Sequence, residues 1–153
     1  MLLSELVTPQ RIKVPLAATT KDAAITELVD LLSACGDLKD RDKVLQAVFD
    51  RERVKSTGIE LGLALPHGKS SGASDLVLAI GKPSVGIDFQ SVDGKPSTLI
   101  FLLVSPLDKT GPHIQALAKI SRLISVNGFR NKLLAANTTD ELYEAIKANE
   151  LVQ

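Results

Sequence analysis

A chain of 153 residues and 16.3 kDa with 44% apolar residues is long and apolar enough to bury a core, which excludes a disordered polypeptide. Eighteen Lys plus Arg balance eighteen Asp plus Glu at a pI near 6.7, so no net field steers it to nucleic acid or an anionic membrane. A single Cys excludes an internal disulfide and a multi-thiolate metal site and points to a reducing, cytoplasmic compartment, while 3% aromatic residues leave few platforms for stacking bases or sugars.

The opening MLLSELVTPQR has neither the basic start nor the sustained apolar run of a signal peptide. No stretch approaches the roughly 18 apolar residues of a membrane span, so no direct membrane insertion is expected. No repeat, low-complexity tract or like-charge block divides the chain, and residues 1–153 read as one domain. Residues 11–16 (RIKVPL) are β-prone. Thr19 and Thr20 offer N-caps for a helix to about Ala34, with Ile25, Leu28, Val29 and Leu32 as its buried stripe and Gly36 as its stop. Cys35 continues that stripe and reads as core. Asp40 caps a second helix with Val44, Leu45, Val48 and Phe49 inward, ending in the charged turn Asp50-Arg51-Glu52-Arg53. Ser56 to Gly72 is rich in Gly and aliphatic residues. Two apolar runs, Leu76–Ile80 and Leu99–Val104, suit strands covered on both faces, with the turn signal Asp93-Gly94 between them. Pro112 is placed to open a third helix with Leu117, Ile120 and Ile124 inward. Asn127-Gly128 breaks the pattern, Phe129 to Ala136 is a short helix, and Thr138 with Glu141 forms a capping box for the last. Helices on both sides of a small sheet predict an α/β layered domain.

The inventory of reactive side chains is short. His67 stands in Leu-Pro-His-Gly-Lys, where Pro66 holds Leu65 extended and Gly68 has no side chain to crowd a bulky group at the ring. An imidazole presented on such a bend can be a nucleophile, a base, a ligand, or a loop histidine with no task. His113, beside Pro112, starts the third helix on its inward stripe. Taken alone it is a helix-end histidine bonded to a loop carbonyl; paired with His67, it would put an anion close to a helix N-terminus. Two His with no neighbouring Cys and no HExxH fall short of a zinc site, so no metal or other cofactor is expected. Arg51 and Arg53 are solvated helix-end charges or anion partners, and Ser56-Thr57-Gly58 is a turn or an oxyanion cradle. Neither a GxxxxGK[ST] loop nor a GxSxG elbow occurs, which disfavours nucleoside triphosphate and hydrolase chemistry.

The stretch Arg51-Glu52-x-x-x-Ser56-Thr57-Gly58-Ile59-x-x-Gly62-Leu63-Ala64-Leu65-Pro66-His67-Gly68-Lys69 closely resembles the phosphohistidine motif of the fructose/mannitol-type enzyme IIA domains of the bacterial sugar phosphotransferase system (PTS), including the nitrogen-regulatory IIA proteins. The opening Leu-Ser-Glu-Leu-Val-Thr-Pro, the Gly86-Ile87-Asp88-Phe89 and Asp93-Gly94 segment, the run ending in Pro106, and His113 ahead of Leu117-Ala118 follow the family in the same order, so the likeness covers essentially the whole chain. The resemblance implies an α/β sandwich around a mixed, mainly five-stranded sheet. It implies that His67 accepts a phosphoryl group from the carrier HPr or its nitrogen-branch counterpart and passes it to a cysteine of a IIB domain that works with a membrane IIC. His113 matches a second, unphosphorylated active-site histidine, Arg51 an arginine that neutralises phosphoryl charge, and Ser56 and Thr57 hydroxyls at the pocket rim, with Gly68 beside them.

That assignment is chemically coherent. An imidazole is a nucleophile at neutral pH, and phosphoryl transfer asks mainly for in-line geometry and positive charge around the equatorial oxygens. Two partner proteins in turn must reach the site, so an open position with apolar surroundings is expected. A regulatory protein of the nitrogen branch, whose phosphorylation controls binding to a target, is the alternative. One departure stands out: Glu60 occupies a position where the family usually has Gly, and Leu61 adds an apolar residue beside it. A carboxylate facing the pocket would repel a phosphoryl group, and alternation along an extended segment predicts that it points outward.

Overall fold

In the computed structural model, which describes residues 1–150, the order is α1 (Leu3–Leu6), a 3₁₀ turn (Pro9–Arg11), β1 (Ile12–Leu16), α2 (Lys21–Ala34) and α3 (Arg41–Val54). There follow β2 (Leu63–Ala64), β3 (His67–Lys69), β4 (Val77–Pro83), β5 (Leu99–Ser105), a second 3₁₀ turn (Leu107–Lys109), α4 (Thr110–Ile124), α5 (Asn127–Ala135) and α6 (Thr139–Glu150). The five strands form one mixed sheet in the order β1-β4-β5-β2, and β3 also pairs with β5. β4 and β5 are antiparallel, with Val77 opposite Val104; β1 runs parallel to β4. β2 and β3 follow one another along the free edge of β5, both parallel to it, registering Leu63 with Leu99 and His67 with Leu103. The predicted layered α/β architecture is therefore the observed one.

Every residue of β5 is buried, because alternate side chains enter two cores. Leu99, Phe101 and Leu103 pack with Ile120, Leu123, Phe129, Leu142 and Ile146 on the face covered by α4, α5 and α6. Ile100, Leu102 and Val104 pack with Ile25, Leu28, Val29, Leu32, Val44 and Val48 on the face covered by α2 and α3.

Local chemistry ends the helices largely as the sequence predicts. The Thr20 side chain accepts from the Ala23 N–H, Asp40 from the Lys43 N–H, and Thr138 from the Glu141 N–H. Gly36 follows α2 with φ +80°, and the chain turns there. This turn overturns the expectation for Cys35: the helix stops at Ala34, the stripe ends with it, and Cys35 is exposed, its thiol donating to the Gln10 carbonyl. α4 begins at Thr110, two residues before Pro112, which sits in the first turn where a missing N–H costs nothing. Its buried stripe is His113, Ala116, Ile120, Leu123 and Ile124, while Leu117 is only partly covered. Asn127-Gly128 opens α5 and does not merely precede it. The Asp50–Arg53 segment is helical rather than a turn, since α3 runs on to Val54.

Gly72 anchors α3. Its carbonyl accepts from the N–H groups of Lys39 and Asp40, and a Cβ added to it would lie 2.4 Å from the Asp40 carbonyl oxygen. Gly72→Ala must push the capping Asp40 away. We expect a loss of about 2–3 kcal/mol, read as a fall of roughly 5–10 °C in thermal midpoint. An unchanged midpoint would show that the loop yields freely.

Candidate functional site

β3 is three residues long on the open side of β5, and its alternation sends His67 and Lys69 one way and Gly68 the other. A Cβ on Gly68 would stand 3.1 Å from both the backbone nitrogen and Cγ2 of Val48. Gly68 thus lets the α3 backbone lie directly against β3; the space it leaves is filled by α3 and is not reserved for a group arriving at the ring. This close approach carries Arg51, near the end of α3, to the strand that holds His67. From the other side α4 contributes His113 in its first turn.

These pieces enclose an open hollow of about 450 Å³ lined by Arg51, His67, Gly68, Lys69, His113 and Ile114, with Ala47 and Leu117 completing it. The two imidazoles lie 5.7 Å apart, centroid to centroid, tilted by 56°. α4 offers the flank of its first two turns rather than the amides at residues 110–112, so the positive character of the hollow comes from Arg51 and Lys69. Ile114 is 60% exposed at its lip.

Hydrogen bonding makes the two histidines different tools. His67 Nδ1 is 2.9 Å from the Leu65 carbonyl oxygen. A carbonyl only accepts, so Nδ1 carries the proton and the lone pair is on Nε2. Burial pushes the His67 pKa below the usual 6.5; the Leu65 carbonyl opposes this, Arg51 lowers it further, and Glu52 raises it. The ring is a neutral nucleophile at pH 7. His113 is 3% exposed, with Nδ1 2.7 Å from the hydroxyl of buried Ser105. Burial first, then the neighbouring His67 and Lys69, push its pKa down to about 4.

That depression has a pH signature. Folded His113 stays neutral while the unfolded chain takes up a proton near 6.5, so the unfolded state gains relative stability as pH falls from about 6.5 towards 4. We expect a loss on the order of 2 kcal/mol across that window, with His67 adding in the same direction. The depressed carboxylates Glu27 and Glu150 act lower, as pH falls below their ordinary 4.5. Thermal melts between pH 7.5 and 5 check this; a flat profile there would contradict a buried neutral His113.

Not every residue singled out from the sequence lines this hollow. Ser56 borders a separate, larger one of about 570 Å³ beyond the end of α3, with Lys21, Asp88 and Gln90, and its hydroxyl donates to the Phe89 carbonyl. Thr57 is buried, and its N–H and hydroxyl both donate to the Glu52 carboxylate, at 2.9 and 2.5 Å. Arg53 is a solvated partner of Asp50. Glu60 is exposed and borders a third hollow with Ser121 and Arg130, not the one at His67. The expected outward direction comes from a bend leading into the turn at Leu61 and Gly62, both with positive φ, and not from alternation along an extended segment. Lys69, Ser105, the Leu65 carbonyl and Glu52 had no assigned role in the sequence reading. Ser105 does carry a signal, a hydroxyl closing an apolar strand eight residues before a histidine. Among the described residues, no group of three or more His, Cys, Asp or Glu side chains could hold a metal ion, and no helix is long and apolar enough to cross a membrane.

Known proteins share this arrangement of chain. The fructose-specific EIIABC component of the PTS of Bacillus subtilis is 32% identical over 150 residues, covering 98% of this chain, which itself spans only 24% of that protein. The crystal structure of the nitrogen regulatory protein IIA-Ntr from Neisseria meningitidis superposes with a TM-score of 0.85 at 28% identity, covering 94% of this chain and 98% of the other. The complex of enzyme IIA-Mtl with phosphorylated enzyme IIB-Mtl from Escherichia coli contains the same fold, with a TM-score of 0.78 at 19% identity over 93% of this chain and 97% of the other. The family described as "Phosphoenolpyruvate-dependent sugar phosphotransferase system, EIIA 2" matches residues 5–149. With the family match running over nearly the full length and the fold in agreement, the chain belongs to that EIIA family.

Proposed function

We propose that His67 is a phosphoryl relay: its Nε2 takes a phosphoryl group from a phosphohistidine of an HPr-like carrier and yields it to a cysteine thiolate of a IIB domain. The observation that carries this reading is the Nδ1–H bond to the Leu65 carbonyl beside a hollow holding Arg51, Lys69 and His113. In the first step the P–N bond to the donor imidazole breaks and its electron pair returns to the donor. The Nε2 lone pair of His67 forms the new P–N bond, and the Nδ1 proton stays in place. The ring becomes cationic as it bonds, and the Leu65 carbonyl dipole stabilises that charge. Arg51 and Lys69 offset the phosphoryl oxygens, and neutral His113, in the tautomer in which the Ser105 hydroxyl donates to its Nδ1, has Nε2–H as a further donor. The second step reverses the first, with the thiolate as nucleophile. The complex of the mannitol IIA and IIB proteins supports a IIB partner. Exposed Ile114 and partly buried Leu117 offer apolar surface for small, transient encounters, which suits a cytoplasmic component serving a membrane IIC.

The likeness to IIA-Ntr favours a second reading, a regulator of the nitrogen branch, in which about two added negative charges at His67 switch binding to a target. Incubation with phosphorylated carriers of both branches, read by intact mass, tests both. Labelling by HPr followed by transfer to a IIB domain supports sugar uptake. Labelling by the nitrogen-branch carrier alone supports the regulator, and no labelling by either sinks the relay.

A further inference from the structure

Glu52 is the residue that the relay leaves unexplained. It is 8% exposed on an otherwise charged stretch of α3. A buried carboxylate is costly unless every oxygen is bonded, and here they are. Oε1 accepts from the Thr57 N–H at 2.9 Å and from Lys21 Nζ at 2.6 Å, and Oε2 accepts from the Thr57 hydroxyl at 2.5 Å. The chain of bonds continues past Thr57. Its carbonyl accepts from the Leu65 N–H at 3.0 Å, and the Leu65 carbonyl accepts from His67 Nδ1–H at 2.9 Å. The N–H and carbonyl of Thr57 belong to successive peptide groups joined at its Cα, as do those of Leu65, so the bonds fix where the Leu65 carbonyl stands, while the anion acts on the imidazole through space. The same bonds tie the first residue of α2, the last turn of α3 and the bend before β3 into one unit.

We propose that Glu52, balanced by Lys21, is the positioning residue for His67: bonded to Thr57, which in turn holds Leu65, it fixes the carbonyl that keeps the ring in its Nδ1–H tautomer, and its charge sets the ring's basicity. This rests on His67 being the acceptor, yet it makes a claim about the unphosphorylated ring that is measurable by itself. The titratable and charged groups around that ring are Arg51 of α3, Lys69 of β3 and neutral His113 of α4, which line the hollow, and Glu52 of α3, which acts from behind it with Lys21 of α2 as its partner. Removing the anion and removing its counter-ion must therefore move the ring in opposite directions. A residue that merely braced the fold would not do so.

The test is an NMR titration of the imidazole nitrogens of His67 in the whole unphosphorylated protein, run beside phosphoryl acceptance from a phosphorylated carrier. Glu52→Gln should lower the His67 pKa and weaken the Nδ1–H preference. Lys21→Met should raise the pKa. Thr57→Val removes the hydroxyl bond while keeping the charge and should slow acceptance roughly tenfold with a smaller change in titration. Opposite shifts in Glu52→Gln and Lys21→Met support the proposal. Shifts of one sign, or no movement of the ring in either variant, overturn it. Should Glu52→Gln fail to fold, a raised pKa in Lys21→Met supports the proposal and an unmoved one overturns it. If the wild type accepts no phosphoryl group from any carrier, the relay fails while the titration still decides the role of Glu52.

Discussion

His67→Ala is expected to accept no phosphoryl group from any phosphorylated carrier while keeping its fold. The ring is half-buried on a three-residue edge strand, and its one intramolecular bond is to the carbonyl of Leu65, two residues away. Losing that bond costs about 1 kcal/mol, which leaves two aliphatic cores untouched. Nothing nearby can substitute. His113 is buried, and its Nδ1 is occupied by Ser105. The wild-type adduct should be stable in alkali and labile in acid, as a phosphoimidazole is, and His67→Gln should behave as His67→Ala does. Intact mass after incubation with phosphorylated carrier is the measurement. An adduct retained in both variants would place the acceptor on another residue.

His113→Ala should still be labelled on His67, with phosphoryl transfer slowed by roughly 10²-fold, because one donor to the developing charge is gone. The same change leaves a cavity beside β5 and an unpaired Ser105 hydroxyl, a stability loss of about 1–3 kcal/mol. The two effects separate in a comparison with His113→Gln, which keeps a hydrogen-bond donor. Recovery of much of the rate there would assign the loss to the missing donor, and no recovery would assign it to packing. If His113→Ala abolished labelling while His67→Ala did not, the two histidines would exchange roles.

Much of the architecture was legible because local chemistry and tertiary packing agree. Thr20 and Asp40 cap the helices they were expected to cap, and the two apolar runs become β5, buried throughout, and β4, buried except at Lys82. The failures fall where a long-range contact decides. Cys35 has the spacing of a core residue, but Gly36 turns the chain before it can be buried. Glu52 looks like one more charge at a solvated helix end, and only the return of Thr57 and the approach of Lys21 make it a bonded, buried anion. Ser56 and Thr57 belong to the motif by sequence, yet they border another hollow or serve Glu52 rather than line the one at His67.

By itself the sequence determined the five longer helices (though not the short α1), the two central strands and the identity of the two histidines, because periodicity, caps and turn residues act over a few positions. It also determined that Pro66 and Gly68 flank the His67 ring. Only the tertiary structure decided which charges meet that ring, which nitrogen of His67 is free, and that Gly68 serves the approach of α3. Residues 47, 51, 65, 69, 105 and 113 converge through strand register and helix packing, and such contacts leave no periodic trace in the chain.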